Sequence, residues 1–154
     1  MASGLNVLPV EAIFQQCFAS DFRTRLVGGA VEPLYLPETE ASFAEIHYRH
    51  DYQRSALHEV AHWCLAGRQR RQLDDYGYWY LPARNAAQQA AFEAVEARPQ
   101  ALEALFAEAA GVDFQVSSDD VASLPSPAFK ARVAAERRLI EQQLPVRARC
   151  FLAW

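Results

Sequence analysis

The chain has 154 residues, 51% of them hydrophobic and 22% charged, a globular composition long enough to bury one core without disulfide staples. Its net charge of −4 gives no reason to expect a nucleic-acid partner. Cys17, Cys64 and Cys150 are an odd number at wide spacing, which argues against a disulfide framework and for a reducing compartment.

Between Met1 and Val10 there is no basic segment followed by a long apolar run, and no stretch approaches the roughly 18 apolar residues of a membrane span. A soluble, cytoplasmic single domain over residues 1–154, without a membrane partner, is the expectation.

In chain order, Val10, Ile13, Phe14, Cys17 and Phe18 recur at helical spacing. Gly28-Gly29 reads as a break. Glu32 to Pro37, with two prolines, reads as an edge strand or loop. Ala44 to Tyr48 reads as a short strand that runs through His50-Asp51 into a helix from Ser55 to Ala66, with Gly67 as its C′ residue. Tyr76-Gly77-Tyr78-Trp79-Tyr80 is aromatic and β-prone, and Pro82 closes it.

Asn85 suits the N-cap of a helix from Ala86 to near Ala97. Pro99 ends that helix or opens a second one, Gln100 to Ala110, which Gly111 terminates. Val112 to Val116 reads as one more short strand and Ser117 to Asp120 as a turn. Ser126-Pro127 opens a last helix through Leu144. The mixed order predicts an α+β fold.

The most informative stretch is His58-Glu59-Val60-Ala61-His62, an HExxH motif inside a predicted helix. Residues four apart share a helix face, so His58 and His62 can direct two imidazoles at one metal ion. Glu59 is one step off that face, placed to act as a base or to orient a ligand. All four histidines (His47, His50, His58, His62) fall within sixteen consecutive positions. The competing reading is a helix that carries two histidines on its core side.

Two histidines make a weak site, so a third protein ligand is required. Two imidazoles and a carboxylate suit zinc with one bound water, or ferrous iron with positions left for dioxygen and substrate. The extended HExxHxxGxxH pattern is absent, because Leu65 and Arg68 occupy the two further motif positions. The third ligand is sought on the helix carrying Phe92-Glu93-Ala94-Val95-Glu96. Phe92 and Glu96 share a face, so an inward Phe92 carries Glu96 with it. Glu96 ranks first, Glu93 (about 60° away around the helix) second, and His50 third.

These segments together resemble the bacterial elongation factor P hydroxylases. The resemblance rests on Asp21-Phe22-x-Thr24-Arg25-Leu26, Glu32-Pro33-x-Tyr35-Leu36-Pro37 and Ser55-Ala56-x-His58-Glu59-x-x-His62-Trp63-Cys64-x-Ala66-Gly67. It continues through Arg70-Arg71-x-Leu73-x-Asp75-x-Gly77-Tyr78-Trp79-Tyr80 and Phe92-Glu93-x-Val95-Glu96-x-x-Pro99-Gln100-Ala101-Leu102. It implies an enzyme that hydroxylates a lysine of elongation factor P already carrying a β-lysyl group. It further implies a two-histidine, one-carboxylate metal site at His58, His62 and Glu96, on an α+β scaffold of the zincin or metallohydrolase kind. The chain stops at Trp154, where some relatives are expected to continue with a longer tail.

On that reading Fe(II) is the metal, dioxygen the cosubstrate, and Glu59 the group that orients a ligand or handles protons. Tyr78 and Tyr80, on one side of a strand, would line a pocket for the alkyl stem of the modified lysine. Asp75, with Asp74, would meet its ammonium groups, and His50 would border the substrate if it is not a ligand. Trp79 reads as core, and Cys64 as a small buried hydrophobe. Arg68, Arg70 and Arg71 read as helix-dipole partners or as a docking patch for an acidic protein. The alternative is a zinc hydrolase in which Glu59 activates a metal-bound water. A binding module with a structural zinc is disfavoured, since such sites fill all four positions with Cys or His.

Overall fold

The computed structural model describes residues 10–50, 53–66, 86–116 and 125–153. Within them the fold is α+β, with five helices and one three-stranded sheet. Helix α1 spans Val10–Phe18. Strands β1 (Thr24–Ala30), β2 (Leu34–Leu36) and β3 (Ala44–Arg49) follow. Then come α2 (Gln53–Leu65), α3 (Ala86–Ala110), α4 (Pro127–Gln142) and α5 (Val146–Leu152). Among the described residues no helix is long and apolar enough to cross a membrane.

β3 is the central strand, parallel to β1 and antiparallel to β2. Its side chains alternate as a half-covered strand should: Ala44, Ile46 and Tyr48 are buried, while Glu45 and His47 are partly exposed. α1 packs on β1 and α2 on β3, α3 covers α2, and α4 covers α3. Phe14, Phe18, Leu26, Leu57, Val60 and Phe106 lie at the centre of this stack, each essentially inaccessible. Gln15 ties α1 to the edge strand: its amide donates to the Leu26 carbonyl at 2.8 Å and accepts from the Leu26 amide at 3.2 Å. This satisfies the outward-facing backbone groups of Leu26 on the sheet edge.

The structure corrects the sequence reading at four places. Gly28-Gly29 does not break the chain but lies inside β1, where the register against β3 shifts between Val27 and Ala30. Such a bulge needs what glycine offers: a Cβ at Gly28 would lie 2.8 Å from the Tyr48 ring and hydroxyl, and Gly29 has φ +92°.

Pro99 neither ends nor starts a helix, for α3 runs unbroken through it. A proline inside a helix removes one backbone bond, at about 3 kcal/mol. Here Glu96 and Ala97 before it, and Gln100, Ala101 and Leu102 after it, are all buried, and that packing carries the helix across. Val112 to Val116 is not a strand and pairs with none of the described ones, its apolar side chains resting on the core. The last helix stops at Gln142 instead of Leu144, and a further helix, α5, starts after Pro145. Ser126 caps α4 by accepting from the Phe129 amide, with Pro127 in the first turn.

Candidate functional site

α2 supplies both histidines, and its packing decides where they point. Leu57, Val60, Ala61 and Cys64 are buried. Trp63 meets Phe14, Phe18 and Phe22 edge-on, at centroid separations of 5.2, 4.9 and 6.1 Å. The Arg147 guanidinium lies 4.3 Å above the Trp63 ring, a cation–π contact that covers its outer face. With this aromatic flank locked into the core, the rotation of α2 is fixed. His58 and His62 then project toward α3, with ring centroids 4.7 Å apart.

α3 meets them with Glu96, whose side chain is 1% exposed. Its Oε1 lies 3.2 Å from His58 Nε2 and 3.3 Å from His62 Nε2, and the two Nε2 atoms are 3.2 Å apart. The three atoms form a nearly equilateral triangle. For bonds of about 2.1 Å, ligand atoms on one face of an octahedron sit about 3.0 Å apart and those of a tetrahedron about 3.4 Å. The spacing falls between the two, so His58, His62 and Glu96 could hold one divalent cation of either preference.

Two more side chains on α3 complete the cluster, and the sequence reading missed both. Glu103 Oε1 lies 2.6 Å from His58 Nδ1, and its side chain is 12% exposed. The Gln100 side chain hydrogen-bonds Glu96 and is itself buried. Glu96, Gln100 and Glu103 follow each other at four and three residues, one stripe along a helix. That spacing was present in the sequence, but it is visible only once α3 is taken as continuous across Pro99.

The electrostatics agree with the geometry. Burial, the largest influence on His58, favours the neutral ring. The hydrogen bond and charge of Glu103, with the charges of Glu96 and Glu59, outweigh it and raise His58 well above its ordinary 6.5. For Glu96, burial pushes the pKa up, but the charges of His62 and His58 and the hydrogen bonds from His62 and Gln100 bring it below its ordinary 4.5. Three carboxylates around two imidazoles favour positive charge at this point, whether a proton or a metal ion carries it.

Glu59 is half-buried beside His58 and contributes charge, but it is not one of the three converging residues. Glu93 is half-buried one turn before Glu96 and also stands outside that group. His50 sits at the end of β3 with φ +50°, its backbone bonded to Gly29 and Ala30, and it does not join the cluster. Cys64 is buried on the core side of α2. The readings of Asp74, Asp75, Tyr78, Trp79, Tyr80, Arg68, Arg70 and Arg71 fall outside the described residues.

With this geometry in place, two comparisons with known proteins become informative. The profile of the elongation factor P hydroxylase family matches residues 13–154. The chain is also similar to elongation factor P lysine hydroxylase of Haemophilus influenzae. The two are 44% identical over 144 residues, which cover 90% of this chain and 81% of that one. The matched span takes in α2 and α3 whole, so every residue of the cluster lies inside it, and the chain belongs to the elongation factor P hydroxylase family.

Proposed function

We propose that this protein is a non-haem iron monooxygenase that hydroxylates the β-lysylated lysine of elongation factor P. The observation that carries the reading is the convergence of His58 Nε2, His62 Nε2 and Glu96 Oε1 on one point, in a chain 44% identical to an elongation factor P lysine hydroxylase. His58, His62 and Glu96 would hold the ion, and iron held by two imidazoles and one carboxylate would supply dioxygen chemistry there.

The chain's own residues account for the rest. Glu96, buried and ionised, contributes the negative charge that makes a dipositive ion favourable between two neutral rings. Gln100 donates to the Glu96 side chain and holds its orientation. Glu59, half-buried on the flank of His58, is placed to hold or move a proton at the edge of the site. The HExxH helix packed on β3 serves as a scaffold of the zincin kind. Asp75, Tyr78 and Tyr80 keep the role that the resemblance gives them, as contacts for the cationic, long-stemmed substrate side chain.

The test uses purified β-lysylated elongation factor P, the iron-loaded protein and an added small-molecule two-electron reductant, which sends the second oxygen atom of dioxygen to water, with intact mass as readout. In air the substrate gains one oxygen atom, about 16 Da, and without air it gains none. Glu59→Gln lowers the yield without abolishing it. The competing zinc-hydrolase reading, in which Glu59 activates the attacking water, requires that same change to eliminate turnover while metal stays bound. Equal product formed without air, with zinc as the only metal, would overturn the oxygenase reading.

A further inference from the structure

The short contact between His58 and Glu103 reaches past the three converging atoms, and α3 is built to hold it. An ionised carboxylate only accepts hydrogen bonds, so at 2.6 Å from Glu103 Oε1 the His58 Nδ1 must carry the proton. That fixes the tautomer. In the neutral ring the lone pair is then on Nε2, the atom 3.2 Å from both Glu96 Oε1 and His62 Nε2.

The backbone supporting Glu103 is set in the core. Leu102 and Phe106 flank it and are 0% and 1% exposed, and Ala101, Ala104 and Ala107 are buried with them. Glu103 therefore has little freedom to swing away.

We propose that Glu103 is the positioning residue of the metal centre, holding the ring of His58 in the tautomer and orientation that turn Nε2 toward the point shared with His62 and Glu96. This rests on the reading that these three residues hold a metal. It moves the orienting role from Glu59, where the HExxH pattern alone would put it, to a residue on the partner helix. A single helix then brings the carboxylate ligand, the amide that orients it and the carboxylate that orients the opposite histidine. Metal-ligating histidines generally depend on such a partner, and losing it typically weakens binding about ten- to hundredfold.

The experiment is a titration of the metal-free full-length protein with cobalt(II), followed by its visible spectrum, for wild type, Glu103→Gln and Glu103→Ala. Glu103→Ala should bind about ten- to hundredfold more weakly than wild type. Glu103→Gln, whose amide oxygen can still accept from Nδ1–H, should fall between them. Proton spectra of the cobalt-loaded forms supply a readout that a merely structural role would not move. The His58 Nδ1–H resonance should be slow to exchange in wild type and lost to solvent in Glu103→Ala. The proposal is overturned if Glu103→Ala and Glu103→Gln both bind cobalt as wild type does and the Nδ1–H stays protected. If wild type itself takes up no cobalt, the metal reading fails first, and Glu103 has nothing to position. The isosteric Gln variant keeps the comparison valid should the Ala variant fold poorly.

Discussion

His58→Ala and His62→Ala should each strip the protein of metal and of hydroxylation, while the fold should survive. Each change removes one corner of a triangle whose sides are 3.2, 3.2 and 3.3 Å, leaving two donors where three are needed. A loss of affinity of at least a hundredfold, about 3 kcal/mol or more, is expected. The folding cost is small for a different reason. His58 and His62 are 22% and 15% exposed, whereas α2 is held by Leu57, Val60, Ala61 and Trp63 on its buried flank, and alanine is the best helix former.

Elemental analysis and thermal unfolding of the two variants check both halves. Metal at full stoichiometry in either would remove His58 and His62 from the ligand set. In wild type, affinity should also fall as pH drops, and from above 6.5, because the carboxylates around His58 favour its proton and that proton competes with the metal for Nε2.

Glu96→Gln is the second change with a large effect, and its contrast with Glu93→Gln locates the third ligand. Glu96 is 1% exposed and touches both Nε2 atoms through one oxygen. The amide is nearly isosteric but carries no charge, so a dipositive ion loses its closest counter-charge in a buried setting. Metal affinity should drop about a hundredfold or more, since a removed ligand costs at least what a removed orienting partner does. Glu93 is one turn away and outside the converging group. Its charge acts through partly solvated space, and Glu93→Gln should shift affinity by no more than about threefold. Calorimetric titration of the two variants decides the matter. If Glu93→Gln is the more damaging change, the third ligand has been placed on the wrong turn of α3.

The parts of this site that could be read from sequence are those a single helix encodes. His58 and His62 at i and i+4 need only α2 to be helical. Glu96 was ranked by helix phase alone, and it lies on the face of α3 that meets α2. Phe92, which sets that phase in the sequence, has a side chain outside the described ones. The buried positions Ala97, Gln100, Ala101 and Ala104 carry the same face.

What could not be read depended on tertiary support for a locally unfavourable backbone. By local propensity Pro99 is a helix boundary, and a boundary there hides the Glu96–Gln100–Glu103 stripe. The Gly28-Gly29 pair reads locally as a break because the tight approach of Tyr48 to Gly28 comes from β3, sixteen or more residues later in the chain. In each case glycine or proline was weighed as a local breaker, and packing from elsewhere in the chain prevailed.

The central claim is that dioxygen, handled at the His58–His62–Glu96 site, puts its oxygen into the lysine of elongation factor P. Turnover of β-lysylated elongation factor P by the iron-loaded protein with an added two-electron reductant, under oxygen-18 gas and in ordinary water, tests it most directly by the mass of the modified peptide. The account predicts a gain of about 18 Da, the isotope arriving from the gas. A gain of about 16 Da under the same gas would mean that the oxygen came from water, and it would contradict the account.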